Sequence, residues 1–212
     1  PVFPRSESEW EIYSHALDRD VMLQKDNPLE RIDLQLLAMV EDAKSHLAQS
    51  GYTLHDKFFM IGFSASGSFT NRFTLIHPDK IHASVAGGVN GLLMLPTDEL
   101  SGKPLHYPLG TCDLQDLFGI SFDSISFSRT PQFYFMGELD ENDAIPYEDG
   151  YDINERDLVF ELLGKEMQPA RWNSCMDIYK KKNVNARFKT YEEIGHEQPE
   201  KIKKEIVEFF KL

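Results

Sequence analysis

Positive charge is scarce in this sequence. Its 212 residues carry 22 Lys and Arg against 35 Asp and Glu, a formal charge of −13. Binding a nucleic-acid backbone needs clustered cations, so that class of partner is excluded. The one short cationic run, Lys180-Lys181-Lys182, closes a predicted helix, where it faces the negative end of the helix dipole. Long apolar runs are missing too. No stretch approaches the roughly 18 residues of a membrane span, and none has the layout of a signal peptide. The two cysteines, Cys112 and Cys175, match no metal or redox spacing, which leaves two free thiols and points to a reducing, cytoplasmic setting. The sequence holds no repeat, low-complexity tract, metal motif or cofactor-binding pattern, so no cofactor is expected.

What is present describes an ordinary globular chain. Hydrophobic residues make up 41% and charged residues 27%, in a length that fits a single domain over residues 1–212. Apolar runs at Lys57–Phe63, Ile81–Gly87 and Gln132–Gly137 read as strands, those at Lys57 and Gln132 buried, and Ala186–Glu192 reads as a fourth strand. Pro1–Pro4 reads as the tail of an earlier one. Glu7–Asp20 carries Trp10, Tyr13 and Leu17 at helical spacing and reads as a short surface helix or ordered loop. Asn27-Pro28-Leu29-Glu30 combines a capping side chain, a proline at the first helical position and a capping-box glutamate. Leu29, Ile32, Leu36, Val40, Ala43 and Leu47 follow as one buried stripe, and Gly51 is the stop.

Further helices are expected from about Gly67 to Ile76, from the capping box Asp152–Glu155 to Gly164, from Pro169 with Trp172 and Tyr179 inward, and from Pro199 to Leu212. Residues 91–130 are rich in Leu and Phe but broken by Pro, Gly and Asp. They read as a cap-like insertion folded over a pocket, or as a packed insertion. Strands alternating with helices at this spacing imply an α/β fold, a mostly parallel sheet flanked by helices on both faces.

The chemistry concentrates at three strand ends. Gly62-Phe63-Ser64-Ala65-Ser66 puts a serine at a sharp strand-to-helix turn, where small neighbours allow the strained backbone a nucleophile needs. The helix behind Ser64 would offer the Ala65 amide to a developing oxyanion. Asp140 follows the Gln132 strand and His196 follows the Ala186 strand. In a parallel sheet such ends share one rim. A serine hydroxyl needs an imidazole to accept its proton, and a buried carboxylate to fix the imidazole tautomer. Ser64, Asp140 and His196 have those chemistries, in the order Ser, Asp, His. Asp143, in the same acidic loop, is the alternative acid. The other six histidines sit on helices, turns or strand starts and read as surface or packing residues.

These residues carry a resemblance. Gly62-Phe-Ser-Ala-Ser-Gly67, His77-Pro-Asp-Lys-Ile-His-Ala-Ser-Val-Ala-Gly-Gly88, Met136-Gly-Glu-Leu-Asp140 with Ile145-Pro146, and Gly195-His196 make the chain from Asn27 onward resemble an α/β-hydrolase. Within that superfamily it is similar to bacterial esterases of the poly(3-hydroxybutyrate) depolymerase and feruloyl esterase kind. The resemblance implies a serine esterase acting on a small ester, with Ser64 as nucleophile, His196 as base and then acid, Asp140 as orienter and the Ala65 amide as one oxyanion donor.

Two departures stand out. Ser66 replaces the second elbow glycine. Only 56 residues precede Lys57, and most of them read as helix and loop, so strands that normally precede the elbow have no candidate segment. Either the chain is an N-terminally shortened piece or the sheet has lost its first strands. In both cases the edge of the Lys57 strand is bare, and bare apolar edges pair with other chains. The expected outcome is a homodimer joined through that edge; elution as a monomer in size-exclusion chromatography at micromolar concentration would count against it.

Overall fold

All four expected strands enter one parallel sheet. The computed structural model describes residues 14–148 and 150–211. Its strands are β1 (Phe58–Phe63), β2 (Ile81–Gly87), the two-residue β3 (Glu99–Leu100) and β4 (Lys103–Pro104), β5 (Gln132–Gly137) and β6 (Ala186–Tyr191). The main sheet runs β1-β2-β5-β6, every pair parallel, while β3 and β4 form a small antiparallel hairpin. β5 is buried along its whole length and β2 at all but one residue, as an unbroken apolar run in a parallel sheet demands.

The helices are α1 (Arg19–Met22), α2 (Ile32–Gln49), α3 (Ala65–Ile76), α4 (Leu114–Phe118), α5 (Ser124–Arg129), α6 (Ile153–Leu163), α7 (Trp172–Lys181) and α8 (Glu200–Phe209). One sheet face carries the larger core, to which α3, α6 and α7 contribute Phe73, Val159 and Tyr179. The other face packs Val85, Phe133 and Phe135 against Ile202 and Ile206 of α8.

The capping box Asp152–Glu155 forms as read from the sequence: Asp152 accepts from the amides of Asn154 and Glu155, and Glu155 accepts from the Asp152 amide. Elsewhere local signals gave way to context. The Asn27 side chain accepts from the Leu29 amide, which makes a turn, and α2 begins only at Ile32, after Arg31 at φ 47°. The stripe of α2 is buried at Ile32 and Leu36 but exposed at Ala43 and Leu47. Leu17 has φ 54° and is fully buried, so the segment before it stops at a 3-10 turn, Ser14–Ala16. A fresh cap at Asp18 then opens α1. Pro1–Pro4, Trp10 and Tyr13 lie outside the described residues.

Residues 91–130 put Leu92, Leu93, Met94 and Leu95 into the larger core. A buried polar knot pins them there. Asn71 donates to the hydroxyls of Tyr134 and Tyr179 at 2.9 and 2.8 Å and accepts from the Met94 amide at 2.8 Å. The Tyr179 hydroxyl donates to the Met94 carbonyl. Each buried polar atom thereby has a partner, which is what makes the knot stabilising. Both cysteines are free, Cys112 exposed and Cys175 buried; burial pushes the Cys175 thiol up to about 12. Among the described residues no helix is long and apolar enough to cross a membrane.

His77, which reads from sequence as a surface or packing residue, is buried in a hydrogen bond to a carboxylate. Its Nε2 lies 2.8 Å from Asp33, which also receives Arg31 through Nε and Nη2 at 2.9 and 2.8 Å. The pair ties the start of α2 to the end of α3. Burial alone would raise the Asp33 carboxyl. The hydrogen bonds from His77 and Arg31 outweigh that and hold it at about 2, below its ordinary 3.8. Because the folded value is the lower one, this stabilisation is present above about pH 4 and lost as pH falls through 2, an effect of about 2 kcal/mol. Denaturant melts from pH 5 to pH 2 should show that loss, and Asp33→Asn should abolish its pH dependence while lowering stability at neutral pH.

Candidate active site

Ser64 stands at the end of β1 with φ 61° and ψ −134°, a backbone conformation that a non-glycine residue adopts only when its surroundings force it. The force comes from close approach. Ser64 donates its amide to the Gly87 carbonyl at 2.9 Å, which fixes the end of β1 against β2. α3 then starts at once, and its first turn donates to Ser64: the Gly67 and Ser68 amides lie 2.8 and 3.1 Å from the Ser64 carbonyl. A Cβ on Gly62 would fall 1.9 Å from the Ser66 carbonyl oxygen, and one on Gly67 would fall 2.7 Å from that of Gly87. Ser66 itself is exposed. The elbow therefore needs glycine two places before the serine and three places after it, and a serine two places after it costs nothing.

The loop after β5 brings Asp140 under the loop after β6. His196 Nδ1 lies 2.9 and 3.1 Å from the two Asp140 oxygens. The Asp140 carboxylate is almost fully buried, while the imidazole keeps about a third of its exposure, 29%. Phe63 holds the ring from the side of β1, with centroids 4.7 Å apart. Asn142 completes the cluster. Its amide nitrogen is 3.3 Å from Ser64 Oγ and 3.2 Å from His196 Nε2, and its backbone amide donates to Asp140 Oδ1 at 3.0 Å.

Asp143, the alternative acid, is engaged elsewhere. It pairs with Arg171, whose guanidinium is fully buried and also donates to the carbonyls of Gly91 and Lys165. The structure thus places Asp140 on His196 and Asp143 on Arg171. Ala65 is the first residue of α3, with its amide at the positive end of the helix. Among the described residues no group of three or more His, Cys, Asp or Glu is placed to hold a metal ion.

Two residues of this cluster have no sequence signal of their own. Asn142 is a neutral amide in a loop full of carboxylates, and nothing in its spacing distinguishes it. Arg171 precedes the amphipathic helix α7; the only hint is that a cation at its buried start must find an acid, and the loop Glu138–Asp143 supplies several.

No family model matches the sequence, and no curated protein matches it. Among solved structures the chain is similar to poly(aspartic acid) hydrolase-1 from Sphingomonas sp. KT-1, with a TM-score of 0.55 and 18% identity over 92% of this chain and 67% of that one. It is also similar to Arabidopsis thaliana SOBER1, with a TM-score of 0.44 and 17% identity over 82% of this chain and 62% of that one. Esterase PE8 aligns with a TM-score of 0.43 and 15% identity, over 79% and 55%. The chain spans less than two thirds of the SOBER1 and PE8 structures. Its parallel sheet and flanking helices are an α/β-hydrolase fold.

The elbow geometry makes a specific demand on Gly62. Gly62→Ala should lose at least about 2 kcal/mol of unfolding free energy, because the intruding methyl meets backbone that cannot rotate away. Ser66→Ala, at the exposed position, should stay within about 0.5 kcal/mol of the parent. Chemical denaturation of the two variants checks both.

Proposed function

We propose that the chain is a serine hydrolase that cleaves small carboxylic esters through an acyl-enzyme. Ser64 is the nucleophile, His196 the general base and then acid, and Asp140 the carboxylate that orients it. One observation carries the reading. A buried carboxylate sits on Nδ1 of His196 at 2.9 Å, and the opposite ring nitrogen faces the strained serine's side of the rim, with the Asn142 amide touching both.

The steps follow from those positions. Asp140 accepts the Nδ1 proton, so the lone pair of His196 lies on Nε2. Ser64 Oγ attacks the ester carbonyl while its proton passes to Nε2. The tetrahedral oxyanion takes a hydrogen bond from the Ala65 amide. Collapse expels the alcohol, which leaves with the proton from Nε2. A water molecule then attacks the acyl-enzyme and gives its proton to Nε2, and collapse releases the acid while Ser64 Oγ leaves with that proton from Nε2.

The rim charge bears on substrate. Glu138, Glu141, Glu193 and Glu197 are exposed on the two loops that carry Asp140 and His196. Their field disfavours a polyanion such as the aspartic acid polymer that names the Sphingomonas hydrolase, and it favours neutral esters. The expected setting is the cytoplasm.

A second reading, a non-catalytic hydrolase-fold protein that binds a small ligand or partner chain, is favoured by the Asn142 amide standing on Ser64 Oγ. Labelling separates the two. A fluorophosphonate should modify the parent at Ser64, and Ser64→Ala should remain unlabelled. Ser64→Ala and His196→Ala should each lower p-nitrophenyl acetate hydrolysis by about a thousandfold or more. A Ser64→Ala protein as active as the parent would refute the assignment.

A further inference from the structure

Asn142 is placed where a working serine and base would meet. Its carboxamide nitrogen is within hydrogen-bond distance of Ser64 Oγ at 3.3 Å and of His196 Nε2 at 3.2 Å. The orientation of that amide follows from the chemistry of the chain of bonds. Nδ1 faces the Asp140 carboxylate and so carries the proton. Nε2 of the neutral ring is then an acceptor, which an amide NH2 satisfies and an amide oxygen does not. The same NH2 has a second hydrogen for the Ser64 hydroxyl oxygen. One neutral group thereby occupies the acceptor sites of both the nucleophile and the base.

We propose that the Asn142 carboxamide is a removable plug between Ser64 and His196, which the substrate displaces before proton transfer begins. The inference rests on the reading of these two residues as nucleophile and base. Two features of the loop suit the role. The Asn142 side chain is exposed, so it can swing into solvent without opening a cavity. Its backbone is held independently, since its amide donates to Asp140 Oδ1 at 3.0 Å. Arg171 clamps the very next residue by pairing with Asp143. The side chain can leave while the acid stays on His196.

A donor on Nε2 stabilises the neutral imidazole and opposes its protonation. The other groups that face this ring are Asp140 on Nδ1, the uncharged Phe63 ring from β1 and the backbone at Gly88 beside Cε1. Glu193 and Glu197 flank His196 on its own loop, and Glu138 and Glu141 stand on the loop of Asp140. Asp143 is taken up by Arg171. All of these remain in place when the Asn142 side chain is removed, so a shift on its removal reports the amide alone.

Three variants test this. Asn142→Ala removes the side chain, Asn142→Leu keeps its bulk without donors, and Asn142→Asp exchanges the donor for a charged acceptor. Fluorophosphonate labelling rates against pH are the first readout, and NMR titration of the His196 imidazole is the second. Asn142→Ala and Asn142→Leu should label about fivefold faster than the parent at neutral pH, the equilibrium weight of one neutral hydrogen bond. The imidazole should titrate higher by about half a unit, and higher still in Asn142→Asp.

If the parent is labelled and neither Ala nor Leu reacts faster, or if the imidazole titration is unmoved, the plug is overturned while the esterase reading stands. If no variant is labelled at all, both fall. A residue that merely held the loop in shape would slow the reaction on substitution and leave the titration unmoved.

Discussion

The site depends on how closely α3 approaches the strands it joins. Ser64 is held at positive φ because its amide is fastened to Gly87 and its carbonyl receives the first turn of α3. That arrangement exists only where backbone meets backbone, at Gly62 against Ser66 and at Gly67 against Gly87. The strain of one serine is thus carried by an ordinary β-α-β unit, without any special side chain. Everything else at the rim is arranged around the fixed point this creates.

The second half of the site is organised by charge sorting within one loop. Glu138, Asp140, Glu141 and Asp143 are close in sequence, yet only two of them turn inward, each toward a different partner. Arg171 is buried and takes Asp143; His196 takes Asp140. A buried guanidinium without a carboxylate would be costly, so its presence draws one acid away and leaves the other for the imidazole. The neutral Asn142 fills the remaining space between imidazole and serine.

Much of this was legible in the linear order of residues, for physical reasons that differ from element to element. The runs that became β2 and β5 were readable because strands buried on both faces must be apolar throughout; β1, expected to be buried, lies at the sheet edge with Phe59 and Ile61 exposed, and β6 at the other edge exposes Arg187 and Thr190. Ser64 was readable because a strand-to-helix turn needs small residues at fixed offsets. The choice between Asp140 and Asp143 was not, because it turns on Arg171, which lies far along the chain and carries no local mark. Asn142 left no trace for the same reason: its role is set by what surrounds it in space. The late start of α2 and the break at Leu17 show tertiary burial overriding sound local signals. The burial of His77 is similar, since its partner Asp33 sits on a helix whose packing cannot be inferred from periodicity alone.

The order of strands in the sheet divides the site between two neighbours. Ser64 belongs to the unit β1-α3-β2, which is contiguous in the chain, whereas Asp140 and His196 arrive on β5 and β6. The seam between the halves is the ladder joining β2 to β5, four residue pairs long. A molecule in which that ladder has parted keeps a strained serine but has no imidazole to take its proton. Under the proposed mechanism, reactivity at the hydroxyl gauges the integrity of that ladder, and a molecule opened along it is chemically silent before it is unfolded.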